Sequence, residues 1–282
     1  MKKDKLLIAG PWIGEFGWEL FAWQGYVRAL SEKFDQTICI SSPHSKFIYE
    51  DFCDEFLSFT PMDKGGYKDS FFRTDFNMNK KILLDILKQS KIDIKQKNTT
   101  LFVPKRIGDP PRTHFSEPMN LAQYSLSPKY VKFADNKNKE KTVIVHARNR
   151  KLRSKDNWSV DKWKELVSLL KEIDLSVISI GLKKEAMHIP GTEDKRECAQ
   201  EELLKIISSS ECIFGQSSGA MHLSTLCGCP QVVWSDMYNF DRYTKNWNPF
   251  DVDVLFLAEQ EWQPEVEYIF EKFVEWRKTN GT

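Results

Sequence analysis

The sequence predicts an α/β protein made of two domains, each built on a parallel sheet. Short apolar runs alternate with amphipathic helical stretches along most of the chain, the order expected of βαβ units. The alternation occurs twice, on either side of a polar, charged segment, Ala134–Lys141 (ADNKNKEK), which reads as a linker. A length of 282 residues is long for one core and comfortable for two. We place the domains at 1–135 and 141–282. Two such sheets facing one another would leave a cleft lined by the C-terminal ends of their strands.

In the first half, Lys5–Ala9 (KLLIA) reads as a buried strand. A glycine-spaced turn follows, Gly10-Pro11-Trp12-Ile13-Gly14-Glu15-Phe16-Gly17. Leu20, Trp23, Val27 and Leu30 then recur at helical spacing. Gln36–Ile40 is the next strand, ended by Ser41-Ser42-Pro43. Residues 52–79 predict a short strand and a long loop, Lys80–Gln89 a helix, and Thr100–Val103 a strand. The loop Pro104–Pro118 carries Lys105, Arg106, Arg112 and His114.

The second half is clearer. Thr142–His146 is a strand, and Ser159 caps a helix with Trp163, Leu166, Val167 and Leu170 on one face. Leu175–Ile180 is a strand ending at Gly181. Glu201–Ser209 is a helix, Cys212–Gly215 a strand, and Gly219–Leu226 a helix stopped by Gly228 and Pro230. Gln231–Trp234 and Val252–Leu257 are strands, and Glu265–Arg277 is a closing amphipathic helix. There is no repeat at solenoid periods.

Composition narrows the function classes. The 41 basic and 40 acidic residues give a net charge of +1, so no global field draws the chain to nucleic acid or to an anionic membrane. The six cysteines form no C-x-x-C pair, and no metal site is expected. No stretch approaches a membrane span. A reduced, cytoplasmic protein is expected, with oligomeric state open.

Three constellations can carry chemistry. In Gly215-Gln216-Ser217-Ser218-Gly219-Ala220-Met221-His222 a buried strand ends and a helix begins. Unpaired backbone N–H groups, the hydroxyls of Ser217 and Ser218, and the bare backbone of Gly219 suit a phosphate or diphosphate. His222, one turn on, can donate to a phosphate or ribose oxygen. An isolated S-S-G is as readily a helix cap; its place at a strand end in an α/β domain favours the ligand. The second constellation is the basic loop after His146, from Arg148 to Lys155. Arg148, nearest the strand end, and then Lys155 are the candidates to neutralise a departing diphosphate. His146 itself reads as a structural strand-end residue. The third is Gly14-Glu15-Phe16-Gly17-Trp18-Glu19. A carboxylate there would repel phosphates, so the turn reads as acceptor-facing, with Glu15 as general base and Glu19 as a weaker acceptor-side candidate. Helix-dipole complementarity is the alternative for both, worth about 0.3–1 kcal/mol.

Weaker signals complete the set. Gly181 and Glu185 follow a strand where a nucleoside could rest. Lys105, Arg106, Arg112 and His114 would hold an anionic acceptor or form a solvated loop. Asp251-Val-Asp253 has D-x-D spacing but arises easily by chance. The loop Ser235–Phe250 follows a strand end and could close over a donor.

The second half resembles the bacterial heptosyltransferase family (glycosyltransferase family 9-like) and its GT-B relatives. The resemblance runs through VIVHAR (Val143–Arg148), NWSVDKWKELVSLL (Asn157–Leu170), SVISIG (Ser176–Gly181) and Glu201–Ser235. Ser217 stands where that family usually has Asp. Gly14-Glu15 stands where it has a Gly-Asp pair whose Asp is the proposed base. His146-Ala-Arg148 also resembles the H-x-R motif of GT-B fucosyltransferases, whose Arg holds the donor diphosphate. The resemblance implies a GT-B-like fold with two Rossmann-like domains. It also implies an inverting, metal-independent sugar transfer, with the nucleotide sugar as substrate and no cofactor. The acceptor would be a surface or lipid-linked saccharide; a hydroxylated base in DNA is the alternative. A nucleotide-sugar epimerase and a non-catalytic nucleotide-sugar-binding protein are rivals outside that class.

Overall fold

The computed structural model describes residues 5–60, 76–92, 94, 98–104, 126–136, 138–151 and 153–279. The chain divides into two compact units, Met1–Tyr130 and Val131–Thr282. No described helix is long and apolar enough to cross a membrane.

Among the described residues, the first unit holds a four-stranded sheet of β1 (Lys5–Ala9), β2 (Gln36–Ser41), β3 (Glu55–Ser58) and β4 (Asn98–Phe102). The strands are parallel, in the order β3-β2-β1-β4. β1 connects to β2 through α1 (Phe16–Glu19), a π-helical turn (Leu20–Gln24) and α2 (Gly25–Ser31). α3 (Phe76–Gln89) precedes β4 and starts earlier than the Lys80 expected from periodicity. Its Leu83 and Leu87 pack with Leu6, Ile8, Ile38 and Ile40, so alternate strand residues meet one helical stripe. The basic loop with Lys105, Arg106, Arg112 and His114 lies outside the described residues.

Among its described residues, the second unit has six parallel strands in the order β10-β9-β8-β5-β6-β7. They are β5 (Glu140–His146), β6 (Ser176–Ser179), β7 (Glu193–Asp194), β8 (Ser210–Gln216), β9 (Gln231–Trp234) and β10 (Val254–Leu257). The helices are α4 (Val160–Glu172), α5 (Gln200–Ser209), α6 (Gly219–Thr225) and α7 (Val266–Thr279). Val143, Val145, Val177, Cys212, Phe214, Val232 and Trp234 supply the core on one sheet face, with Trp163, Leu166, Val167 and Leu170 of α4 and Ile269 and Phe273 of α7. Ile144, Ile213 and Val233, the alternate residues, are equally buried. Burial on both faces explains why these strands read as unbroken apolar runs. Ser159 caps α4 as expected, its side chain accepting the Lys162 N–H at 3.2 Å.

The strand order decides where a ligand can sit. β5 pairs with β6 on one side and with β8 on the other, so the winding reverses at the β5/β8 gap. In open α/β sheets, the crevice beyond the strand carboxyl ends at such a reversal is the usual binding position. β5 ends at His146 and β8 at Gln216, with His146 opposite Gly215.

Leu166 is fully buried in this core. Leu166→Ala should cost the second unit about 2–5 kcal/mol in urea unfolding. Glu165→Ala, on the exposed side of the same helix, should change stability by less than about 0.5 kcal/mol.

Candidate active site

Beyond the β5 and β8 ends, the chain places a cluster of polar side chains. β8 is buried along its whole length, and the residues that follow, Ser217 to Ala220, are half-buried. The turn is tied from several directions. Ser217 N–H donates to Trp234 O at 3.3 Å. Ser218 N–H donates to the Tyr243 hydroxyl at 3.1 Å, and that hydroxyl donates to Ser217 Oγ at 3.1 Å. Ser218 Oγ lies 3.1 Å from His146 Nδ1. The Ser217 and Ser218 N–H groups are thus spent inside the protein, ahead of the helix start at Gly219.

His146 is buried and stays neutral. Burial, then the charges of Arg148 and Arg150, push its pKa down to about 4. Its ring also explains Gly181, whose φ is +123°. A Cβ at Gly181 would stand 2.7 Å from Ala186 Cβ and 3.1 Å from His146 Nε2. The glycine expected beside a nucleoside thus has a packing duty against His146.

Arg148 follows on a short antiparallel bridge with Ala186. Asn149 N–H donates to Glu185 O at 2.7 Å, and Met187 N–H to Ala147 O at 2.8 Å. Glu185 thus fixes the Arg148 segment through its backbone. The Arg148 guanidinium is buried, with Nη1 3.8 Å from Asp156 Oδ2 and its centre 5.5 Å from the Trp262 ring. Arg153 lies over the same indole at 4.7 Å and also pairs with Asp156. Asp236 accepts the Trp262 indole N–H at 3.0 Å.

The sequence matches no family model and no curated protein. Solved structures do match in shape. E. coli heptosyltransferase WaaC with ADP superposes with a TM-score of 0.55 at 10% identity, covering 96% of this chain and 99% of that one. E. coli ADP-heptose LPS heptosyltransferase II gives 0.56 at 11% identity, covering 99% and 100%. A glycosyl transferase family 9 protein from Veillonella parvula gives 0.51 at 9%, covering 98% and 97%. The chain has the GT-B-like fold.

Within this GT-B-like frame the remaining expected residues fall into place unequally. His222 is enclosed by aromatic rings. It is 4% exposed, stacked on Tyr243 (centroids 4.4 Å apart, 19° between planes) and edge-on to Trp247 at 4.6 Å. Burial and the Arg242 charge hold its pKa well below the usual histidine range. It supports the turn from beneath. Lys155 stands exposed on the 3-10 turn Ser154–Asp156, where its carbonyl accepts from Gln263 at 2.7 Å. Tyr243 belongs to the Ser235–Phe250 loop that the sequence placed near a donor, but its partner Ser217, 26 residues away, was not legible there.

In the first unit, the two glutamates separate sharply. From residue 6 to 31, all residues are buried except Gly14, Glu15 and Phe16, which are half-buried. Glu15 sits at the N-cap of α1 in extended geometry (φ −65°, ψ 143°). Glu19, expected on the acceptor side, is 2% exposed instead. Its Oε1 accepts from Ser41 and, at 2.8 Å, from Tyr49; its Oε2 accepts from Ser45 at 2.7 Å. These bonds tie α1 to β2 and to the 3-10 turn Pro43–Ile48, so Glu19 is an internal strut. Among the described residues, no group of three or more His, Cys, Asp or Glu side chains is placed to hold a metal ion.

Burial raises the Glu19 pKa from its ordinary 4.5 to about 7, against the pull of its three hydroxyl partners. Between those values the unfolded chain has released this proton while the folded chain retains it. Stability from Glu19 is therefore complete below about 4.5 and is lost as pH rises to about 7. His146 acts oppositely, costing stability as pH falls from 6.5 to about 4. Comparison with Glu19→Gln isolates the first effect. Across that window the variant's stability should fall less with rising pH than the wild type's in chemical denaturation. Parallel pH profiles for the two proteins would contradict the assignment.

Proposed function

We propose that this chain is a glycosyltransferase that moves a sugar from a nucleoside-diphosphate sugar to an acceptor hydroxyl. The observation that carries the reading is the positive field of the buried Arg148 guanidinium at the β5 exit, next to the Ser217–Ser218 turn at the β8 exit. Burial first, and then guanidinium charge, keeps both histidines there neutral, Arg148 and Arg150 acting on His146 and Arg242 on His222. A turn with hydroxyls on Ser217 and Ser218 sits in that field. An anion with several acceptor oxygens is the matching ligand, and a diphosphate has both properties. The GT-B-like fold supports this, since structural neighbours include one solved with ADP and one with ADP-2-deoxy-2-fluoro heptose.

In the proposed reaction, the acceptor oxygen attacks the anomeric carbon as the bond to the diphosphate breaks. The acceptor proton passes to Glu15, the carboxylate of its helix that reaches solvent. Negative charge collects on the departing phosphate oxygen. Arg148 and the hydroxyls of Ser217 and Ser218 stabilise it there, with Gly219 allowing close approach. Lys155 is close enough in sequence to contribute as a second cation. One displacement with one base gives inversion, and the scheme assigns no step to a metal. A saccharide acceptor is favoured over DNA by the net charge of +1, which offers no general duplex footprint.

A thermal-shift panel of ADP, UDP, GDP and their sugar conjugates should identify at least one stabilising ligand. Against that donor, Glu15→Gln should lower turnover by about 10²–10⁴-fold while leaving nucleotide affinity almost unchanged. Full activity in Glu15→Gln would remove the base from the scheme. Turnover of donor sugar with no acceptor present would favour an epimerase. Binding with neither transfer nor hydrolysis would favour a binding protein.

A further inference from the structure

We propose that Tyr243 is a positioning residue of the donor site, whose hydroxyl fixes the Ser217–Ser218 turn and commits the Ser217 hydroxyl to donating to the donor diphosphate. This rests on the glycosyltransferase reading above.

The argument is one of hydrogen-bond inventory. A phenolic hydroxyl has one proton and can also accept. The Ser218 backbone N–H can only donate, so at 3.1 Å the Tyr243 oxygen accepts from it. The single phenolic proton then goes to Ser217 Oγ, also at 3.1 Å. Ser217 accepts in that bond, and its own O–H proton is left for another partner. Ser217 is half-buried and follows β8, whose end lies beside the β5 exit toward Arg148, and the proposal gives that proton to the ligand. Without the phenol, the Ser217 hydroxyl is free to rotate and to donate inward.

Packing makes the phenol a fixed reference rather than a mobile lid. Tyr243 is 1% exposed and belongs to the π-helical turn Arg242–Asn246. Its ring stacks on His222 and lies 5.9 Å from the Phe256 ring. His222 is held in turn by Trp247. Burial pushes the phenol's pKa up to about 12, so it keeps its proton at any working pH. His146 braces the other serine of the turn. Two hydroxyls on adjacent residues are thus oriented by two different buried partners.

Tyr243→Phe keeps the ring and its stacking and removes only the hydroxyl. Titration calorimetry of the full chain with ADP, UDP and GDP should show roughly tenfold weaker binding of the preferred nucleotide, the loss of about one neutral hydrogen bond. Ser217→Ala should lose a similar factor, Ser217→Thr should restore it, and Tyr243→Phe combined with Ser217→Ala should be no worse than either alone. A merely structural tyrosine would give additive losses and no rescue. Unchanged or tighter binding in Tyr243→Phe would overturn the proposal, the latter by making the hydroxyl a plug in the ligand's place. If Tyr243→Phe does not fold, the serine pair decides, and full affinity in Ser217→Ala overturns it. A wild-type protein that binds none of the three nucleotides overturns the glycosyltransferase reading itself, and this inference with it.

Discussion

The parallel pairing of β5 with β8 is the constraint on which the candidate site depends. It joins strands separated by more than sixty residues of chain and sets Val143 opposite Cys212, Ile144 opposite Ile213 and His146 opposite Gly215. Two chain exits therefore leave the sheet side by side, one toward Arg148 and the other toward Ser217. The approach is close enough to dictate residue type. A Cβ on Gly215 would stand 2.9 Å from Met221 Sδ and 3.2 Å from the His146 carbonyl oxygen. The apolar runs of both strands fix the register, because a one-residue slip would exchange the residues facing α4 and α7 for those on the opposite face.

Electrostatics at this edge follows from burial. His146, His222 and Tyr243 are all enclosed, and each keeps its neutral form because a charged form would be desolvated without adequate compensation. Arg148 cannot neutralise, so it is accompanied by Asp156, which Arg153 shares. The result is a small excess of positive charge around neutral hydroxyl and imidazole groups. Such an environment is selective for an anion with many acceptors. Glu19 obeys the same logic in the first unit with the opposite sign, since an enclosed carboxyl with no cation beside it is driven to hold its proton.

Much of the fold was legible because its signals are local. The stripe Trp163, Leu166, Val167, Leu170 and the Ser159 cap fixed α4, and the apolar runs fixed the central strands. Boundaries failed where polar residues are buried: β8 begins at Ser210 and ends at Gln216, beyond the apolar Cys212–Gly215, since all seven residues are enclosed. The placement of Arg148 and of Ser217–Gly219 just past two strand ends was legible, and the β5/β8 pairing makes those ends neighbours. The candidate site was not legible where partners are distant. Glu19 looked like a first-turn acid because Ser41, Ser45 and Tyr49 lie 22 to 30 residues away. The burial of His222 was not legible either, because helical periodicity says nothing of the Tyr243 and Trp247 rings that enclose it.

Hydrogen–deuterium exchange with and without a saturating nucleoside diphosphate tests the central claim most directly, because it reports where the ligand is held. The account predicts added protection confined in the second unit to amides at the two strand exits, Ala147–Asn149 and Gln216–Gly219. Protection at the β10 or β7 edge of that sheet, with these two segments unchanged, would contradict it.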